Sequence, residues 1–183
     1  EFIPLAEETG LISHLTDSLF SQACRDAMTW PSHTVLAFNI SASQLGDRLL
    51  GLKLIAILDE TGLPVQRVEL EVTESAIIRD AESAHFVLGS LVQAGVKIAL
   101  DDFGTGYSSL SQLSGYQFHK LKIDRSFIAS FEQCEKQDKI VKAIIALGTS
   151  LGMKITAEGI EHESQLSKLT ALGCDVGQGY LLG

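Results

Sequence analysis

Apolar residues recur along the chain at two distinct spacings. Over "LLGLKLIAILDETGLP" (Leu49–Pro64) they fall three and four residues apart, the period of a helix with one buried face, and Gly62 and Pro64 end it. The same period runs through Leu15–Met28, through "DAESAHFVLGSLVQAG" with Asp80 as N-cap and Gly95 as stop, and through "KQDKIVKAIIALGTSLG", which closes at Gly152. It returns in "ESQLSKLTALG". Between these segments stand short runs that alternate every second residue: "VLAFNIS", "RVELEVTE", "VKIALDD", "FHKLKID", "MKITAEGIE" and a last short one, "CDVGQG". Strands alternating with helices predict βα units on a parallel sheet, an α/β fold. An echo supports repetition: Gly95–Asp101 and Gly152–Glu158 both read Gly-x-Lys-Ile-x-x-acid.

Strand parity separates two faces. Leu36, Phe38, Ile40; Val68, Leu70, Val72; Val96, Ile98, Leu100; Leu121, Ile123; and Met153, Ile155, Ala157 form the set facing helices. The opposite face carries Ala37 and Asn39; Glu69 and Glu71; Ala99 and Asp101; Lys120 and Lys122; Thr156 and Glu158. Five strands therefore bring a polar or charged residue to the carboxyl end of the inner face, where (β/α) barrels build their sites. Six strands are countable, whereas a closed barrel of this type has eight and about 250 residues.

Composition narrows the function classes. The 183 residues, 45% of them hydrophobic, suffice for one domain, and no apolar run spans a bilayer. A net charge of −9 disfavours DNA, RNA and anionic membranes, so an anionic ligand needs local positive charge, which a divalent metal supplies. Cys24, Cys134 and Cys174 fit neither a disulfide framework nor a zinc cluster; they read as reduced, mostly buried thiols in a cytoplasmic protein. Trp30 reads as a core residue at a helix exit, Phe103 and Tyr107 as loop packing, and "EQCEKQDK" as a solvated helix start.

The candidate chemistry sits in "ALDDFGTGYSS", where a buried strand ends on two adjacent carboxylates. Asn39, Glu71, Asp101 and Asp102 offer oxygen ligands alone, the set that suits Mg²⁺, Mn²⁺ or Ca²⁺. Two such ions a few ångströms apart are the usual device for in-line attack on a phosphodiester. Lys122 is placed to orient water or to neutralise phosphate, and Glu158 and Glu161 to hold a second ion or accept a proton. Taken singly, each is an ordinary rim charge; converging from separate strands, they form a site. "DFG" also occurs in kinases, but the chain lacks their glycine-rich ATP loop and His-Arg-Asp loop.

"FIPLAEETGLI", "NISASQL", "ELEVTES", "DDFGTGYSSL", "LKIDRSFI", "AEGIE" and "GQGYLLG" follow in the order of the EAL domain, which the chain resembles over essentially its whole length. The resemblance implies a modified (β/α)8 TIM-type barrel, about six βα units of it present here, with residues 1–183 as one EAL phosphodiesterase domain. It implies metal-dependent hydrolysis of cyclic di-GMP to linear pGpG in bacterial signalling, using Mg²⁺ or Mn²⁺, two ions, with Ca²⁺ inhibitory. Asn39, Glu71, Asp101 and Asp102 match metal ligands, with Asp101 shared between the ions. Lys122 matches the lysine near the attacking water, and Glu158 the acid that holds water at the metal or acts as general base. Glu74 matches the anchor of the loop after Asp102, and Glu161 and Gln178 the substrate rim. A homodimer through the loop and helix after Asp102 is implied too, as are sensory or diguanylate cyclase-like neighbouring domains. The Glu-Ala-Leu motif itself lies upstream of "FIPLAEE" in the family, and the chain starts without it; it also stops at "YLLG", short of the family's final helix. The alternative is an inactive EAL domain serving as a cyclic di-GMP receptor or dimerising module; binding without turnover separates the two.

Overall fold

The computed structural model describes residues 2–105 and 115–183 and divides into two compact units. Among the described residues one unit takes in 2–98 and 115–117, and the other 99–105 and 118–183.

The first unit opens with α1 (Ile3–Glu8) and α2 (Ile12–Ala27), followed by β1 (Leu36–Ile40), α3 (Leu50–Thr61), β2 (Val68–Thr73), α4 (Glu74–Arg79) and α5 (Ala81–Gln93). Ile12, Thr16, Phe20, Cys24 and Ala27 form the buried stripe of α2, and the Phe20 ring meets Phe38 of β1 edge-on at 5.1 Å. Leu50, Leu54 and Leu58 line α3, and Val87, Leu88 and Leu91 line α5. Gly51 lets these two helices approach, since a Cβ there would stand 2.3 Å from Ser90 Oγ. The expected stops are used: Gly62 adopts φ 74°, and the Asp80 carboxylate accepts the Ser83 N–H at 3.0 Å to begin α5. β1 and β2 pair in parallel, placing Asn39 opposite Glu71.

Strand β3 (Lys97–Phe103) starts in the first unit and continues in the second, where β4 (Lys120–Ile123), α6 (Arg125–Ile128), α7 (Glu135–Ser150), β5 (Lys154–Ala157), α8 (Glu163–Ala171) and β6 (Val176–Gly177) follow. Strand order equals chain order, and the described pairings are parallel. Leu121, Ile123, Ile128, Phe131, Val141, Ile155 and Ile160 make a dry core. The expected α/β architecture of six strands alternating with helices is therefore present.

Several details differ from the sequence reading. Strand "MKITAEGIE" ends at Ala157, because Gly159 takes φ 72°, and "CDVGQG" pairs over Val176–Gly177 alone. Helices α1, α4 and α6 were not anticipated. Trp30 is 38% exposed rather than core; it lies past α2 in a turn that the Ala27 and Pro31 carbonyls close. Of the thiols Cys24 alone is buried, while Cys134 is exposed beside the polar start of α7 and Cys174 is partly covered. No helix among the described residues is long and apolar enough to cross a membrane.

Candidate active site at the carboxyl ends of the strands

In the second unit the paired aspartates occupy a break in the β3 ladder. Ala99 and Leu100 pair with Lys120 and Leu121, but Phe103 pairs with Ile123, so β3 carries one residue more than its partner over this stretch. Adjacent strand residues ordinarily point to opposite faces; a bulge re-aims one of them. Asp102 completes the break with φ 53°, the left-handed region that aspartate tolerates better than most residues. Its N–H donates to Asp101 Oδ1 at 2.9 Å.

Lys122, on β4, is 6% exposed. Its Nζ lies 3.1 Å from Asp101 Oδ2 and 2.8 Å from Glu158 Oε1, so one ammonium clamps carboxylates from two other strand ends. Such short, shielded pairs are charge-assisted and fix both acids in orientation. Burial raises the pKa of Asp102 above the usual carboxylate range, with Asp101, Asp124 and Glu158 adding like-charge repulsion and Lys122 opposing them.

Glu158 also borders a cleft of about 330 Å³, together with Arg125, Gly159, Glu161, Gln178, Gly179, Tyr180 and Gly183. Backbone bonds hold its walls: Glu158 N–H to Ile123 O at 3.1 Å, Gln178 N–H to Ala157 O at 2.9 Å and Ile160 N–H to Gln178 O at 3.0 Å. The sequence singled out Glu158, Glu161 and Gln178; Arg125 and Tyr180 are additions. Gln165 is another. Its buried amide accepts the Glu161 and His162 N–H groups at 2.9 and 3.0 Å and donates to Ile128 O at 3.2 Å. A glutamine three residues into a helix, at the third position after His162, was the available signal.

In the first unit Asn39 is exposed on β1 and its register partner Glu71 is buried on β2. Glu74 is buried at the start of α4. The loop and helix after Asp102, expected to make a dimer contact, and Tyr107 lie outside the described residues beyond Thr105.

Among the described residues no group of three or more His, Cys, Asp and Glu side chains stands arranged to hold a metal ion. The donor chemistry fits a hard cation nonetheless. Every candidate ligand offers oxygen, and in the second unit three carboxylates oppose the charge of Asp102 against one ammonium.

Residues 1–183, the whole chain, match the EAL domain family. The chain belongs to that family. It is 42% identical over 187 residues to the bifunctional diguanylate cyclase/cyclic di-GMP phosphodiesterase MucR of Pseudomonas aeruginosa, covering 100% of the chain and 27% of that protein. This EAL domain chain spans 22% of the length of one curated relative it matches and 47% of another. In structure it is similar to the MucR phosphodiesterase in complex with c-di-GMP, with TM-score 0.94 and 42% identity over 100% of the chain and 75% of that one. It is also similar to Klebsiella pneumoniae BlrP1 with calcium and c-di-GMP (TM-score 0.80, 30% identity, 92% and 42% covered) and with manganese and c-di-GMP (TM-score 0.78, 31% identity, 91% and 42% covered).

Proposed function

We propose that the chain is an EAL phosphodiesterase domain that hydrolyses cyclic di-GMP to linear pGpG in bacterial second-messenger signalling. The observation that carries this reading is the buried Lys122 clamped between Asp101 and Glu158, beside the bulge that turns Asp102 out of the strand alternation. Asn39, Glu71, Asp101 and Asp102 would hold Mg²⁺ or Mn²⁺, two ions in all; when bound, such ions lower the pKa of water and offset charge on phosphoryl oxygens.

The chain's own residues do the rest. Lys122 holds Glu158 in orientation, and Glu158 takes the proton of the attacking water. Water oxygen then attacks phosphorus as the opposite P–O bond, to the ribose 3′ oxygen, breaks; that oxygen takes a proton from solvent to become a hydroxyl, one phosphodiester opens and pGpG leaves. Glu161 and Gln178 line the cleft that Glu158 borders and would grip the nucleotide. Glu74, buried at the head of α4, would anchor the loop after Asp102, and that loop and helix would dock a second copy. Signalling of this kind belongs in the cytoplasm.

Chromatography of cyclic di-GMP incubated with the protein, with Mg²⁺ or Mn²⁺ and with EDTA, tests the proposal. Metal-dependent pGpG is expected. Asp101→Asn, which keeps shape but removes charge from a shared ligand, should lower turnover at least about a hundredfold. Near-normal hydrolysis by that variant would overturn the ligand assignment, and nucleotide binding without product in the native chain would make it a receptor.

A further inference from the structure

Thr156 stands on β5 two residues before Glu158 and is 3% exposed. Its hydroxyl is buried, yet among the described residues it has no hydrogen-bond partner. Packing fixes where it points. Gly148 of α7 lies so close to the sheet that a Cβ there would strike Ile155 Cδ1, with Leu121 Cδ1 beside it. Ile155 and Leu121 therefore face the helix, and strand alternation turns Thr156 and its register partner Lys122 to the opposite, inner face. Glu158 keeps the alternation. Its N–H still donates to Ile123 O at 3.1 Å, and its Oε1 meets Lys122 Nζ at 2.8 Å on that inner face. The register partner of Thr156 on its other side is Val176 of β6, whose side chain has no hydrogen-bonding group.

A valine would fill nearly the same space here without a hydroxyl to satisfy, and a buried hydroxyl left unpaired costs free energy. A water held between two polar groups removes that cost. Glu158 lies one pleat further along the same face, and a carboxylate accepts at both oxygens, of which Oε1 already receives Lys122. We propose that Thr156 is a positioning residue for the hydrolytic step: its hydroxyl donates to one buried water, and that water donates to the Glu158 carboxylate. Lys122 and the water then hold the carboxylate from two directions and restrict rotation of the group that takes the proton. The proposal rests on the phosphodiesterase reading for the part Glu158 plays in turnover.

A crystal structure of the native protein should show a water within hydrogen-bond distance of both Thr156 Oγ1 and a Glu158 carboxylate oxygen, and Thr156→Val should lack it. With Mn²⁺ and cyclic di-GMP, Thr156→Val should lower kcat about tenfold and leave KM within about twofold, since Thr156 orients a group and touches no substrate. Thr156→Ser, which keeps the hydroxyl, should recover most of that loss. Melting without metal separates positioning from mere filling. Valine in place of an unpaired hydroxyl would raise Tm by several degrees, whereas replacing a water-bridged one brings no such gain. A native structure without the water, or a valine variant that melts higher, would overturn the bridge. The water present, with native kcat in Thr156→Val, would remove Thr156 from the hydrolytic step. If the native protein forms no pGpG, the hydrolytic reading fails, and the water and the melting comparison still decide whether Thr156 is tied to Glu158.

Discussion

At the scale of single residues, burial decides which ionisable groups are reactive. The thiol of Cys24 is fully buried on α2, and desolvation pushes its pKa up to about 11 from an ordinary 9.0, with a bond to Thr61 and the charge of Arg25 pulling the other way. The unfolded chain loses this proton near its ordinary value, whereas the folded chain keeps it. Between pH 9 and about 11 the unfolded state binds fewer protons, so stability falls as pH rises through that window. The full difference of two units corresponds to about 2–3 kcal/mol. Urea titrations at pH 8 and pH 10.5 should show this alkaline loss, and Cys24→Ala should remove most of it. A variant with the same alkaline slope as the native chain would assign the loss to other groups. Cys134, exposed at the start of α7, should react with iodoacetamide under native conditions where Cys24 does not.

At the scale of elements, the long helices and the strands were legible because each repeats its pattern over several turns or pairs. Two of the three helices that were not, α4 with six residues and α6 with four, span fewer than two turns, and no period can show in them. Their caps were in the sequence, however: Thr73 accepts the Ala76 N–H at 3.3 Å and Asp124 the Ser126 N–H at 3.0 Å. Parity named Asp101 as inward-facing, but the break in the β3 ladder depends on which residue of β4 pairs with which, information that lies outside the strand's own sequence. Arg67 was invisible for the same reason. From the position just before β2 its guanidinium donates to the carbonyls of Thr34, Ala27 and Pro31 at 3.0, 2.9 and 3.2 Å, tying down the end of α2 and the turn that follows. Arg67→Ala should cost about 1.5–3 kcal/mol, as expected for hydrogen bonds from a charged donor to backbone carbonyls. Denaturant midpoints measure it; a loss below about 0.5 kcal/mol, the range of an ordinary surface change, would mean that water replaces the guanidinium.

At the scale of the whole molecule the charge balance predicts how the fold answers to metal. The chain carries 23 acidic against 14 basic side chains, a net charge of −9. Part of that excess is concentrated where Asp101, Asp102, Asp124 and Glu158 meet the single ammonium of Lys122. A divalent cation that binds this folded arrangement and not the unfolded chain stabilises it by mass action, about 2.7 kcal/mol at a hundredfold excess over Kd. For a domain of this size that amounts to a rise of about 5–10 °C in Tm. Mg²⁺, Mn²⁺ and Ca²⁺ should all produce it, because all three take oxygen ligands. Ca²⁺ should do so without turnover, since it accepts more ligands at longer distances than the octahedral geometry Mg²⁺ demands. Asp102→Asn isolates the cause. Asparagine tolerates the backbone at φ 53°, and removing a charge that burial and three carboxylates disfavour should leave the metal-free fold at least as stable as the native one. The variant should therefore melt no lower without metal, yet gain much less from Mn²⁺. A full shift in Asp102→Asn would place the cation away from the bulge, and no shift in the native chain at millimolar Mn²⁺ would show that these carboxylates answer to Lys122 alone.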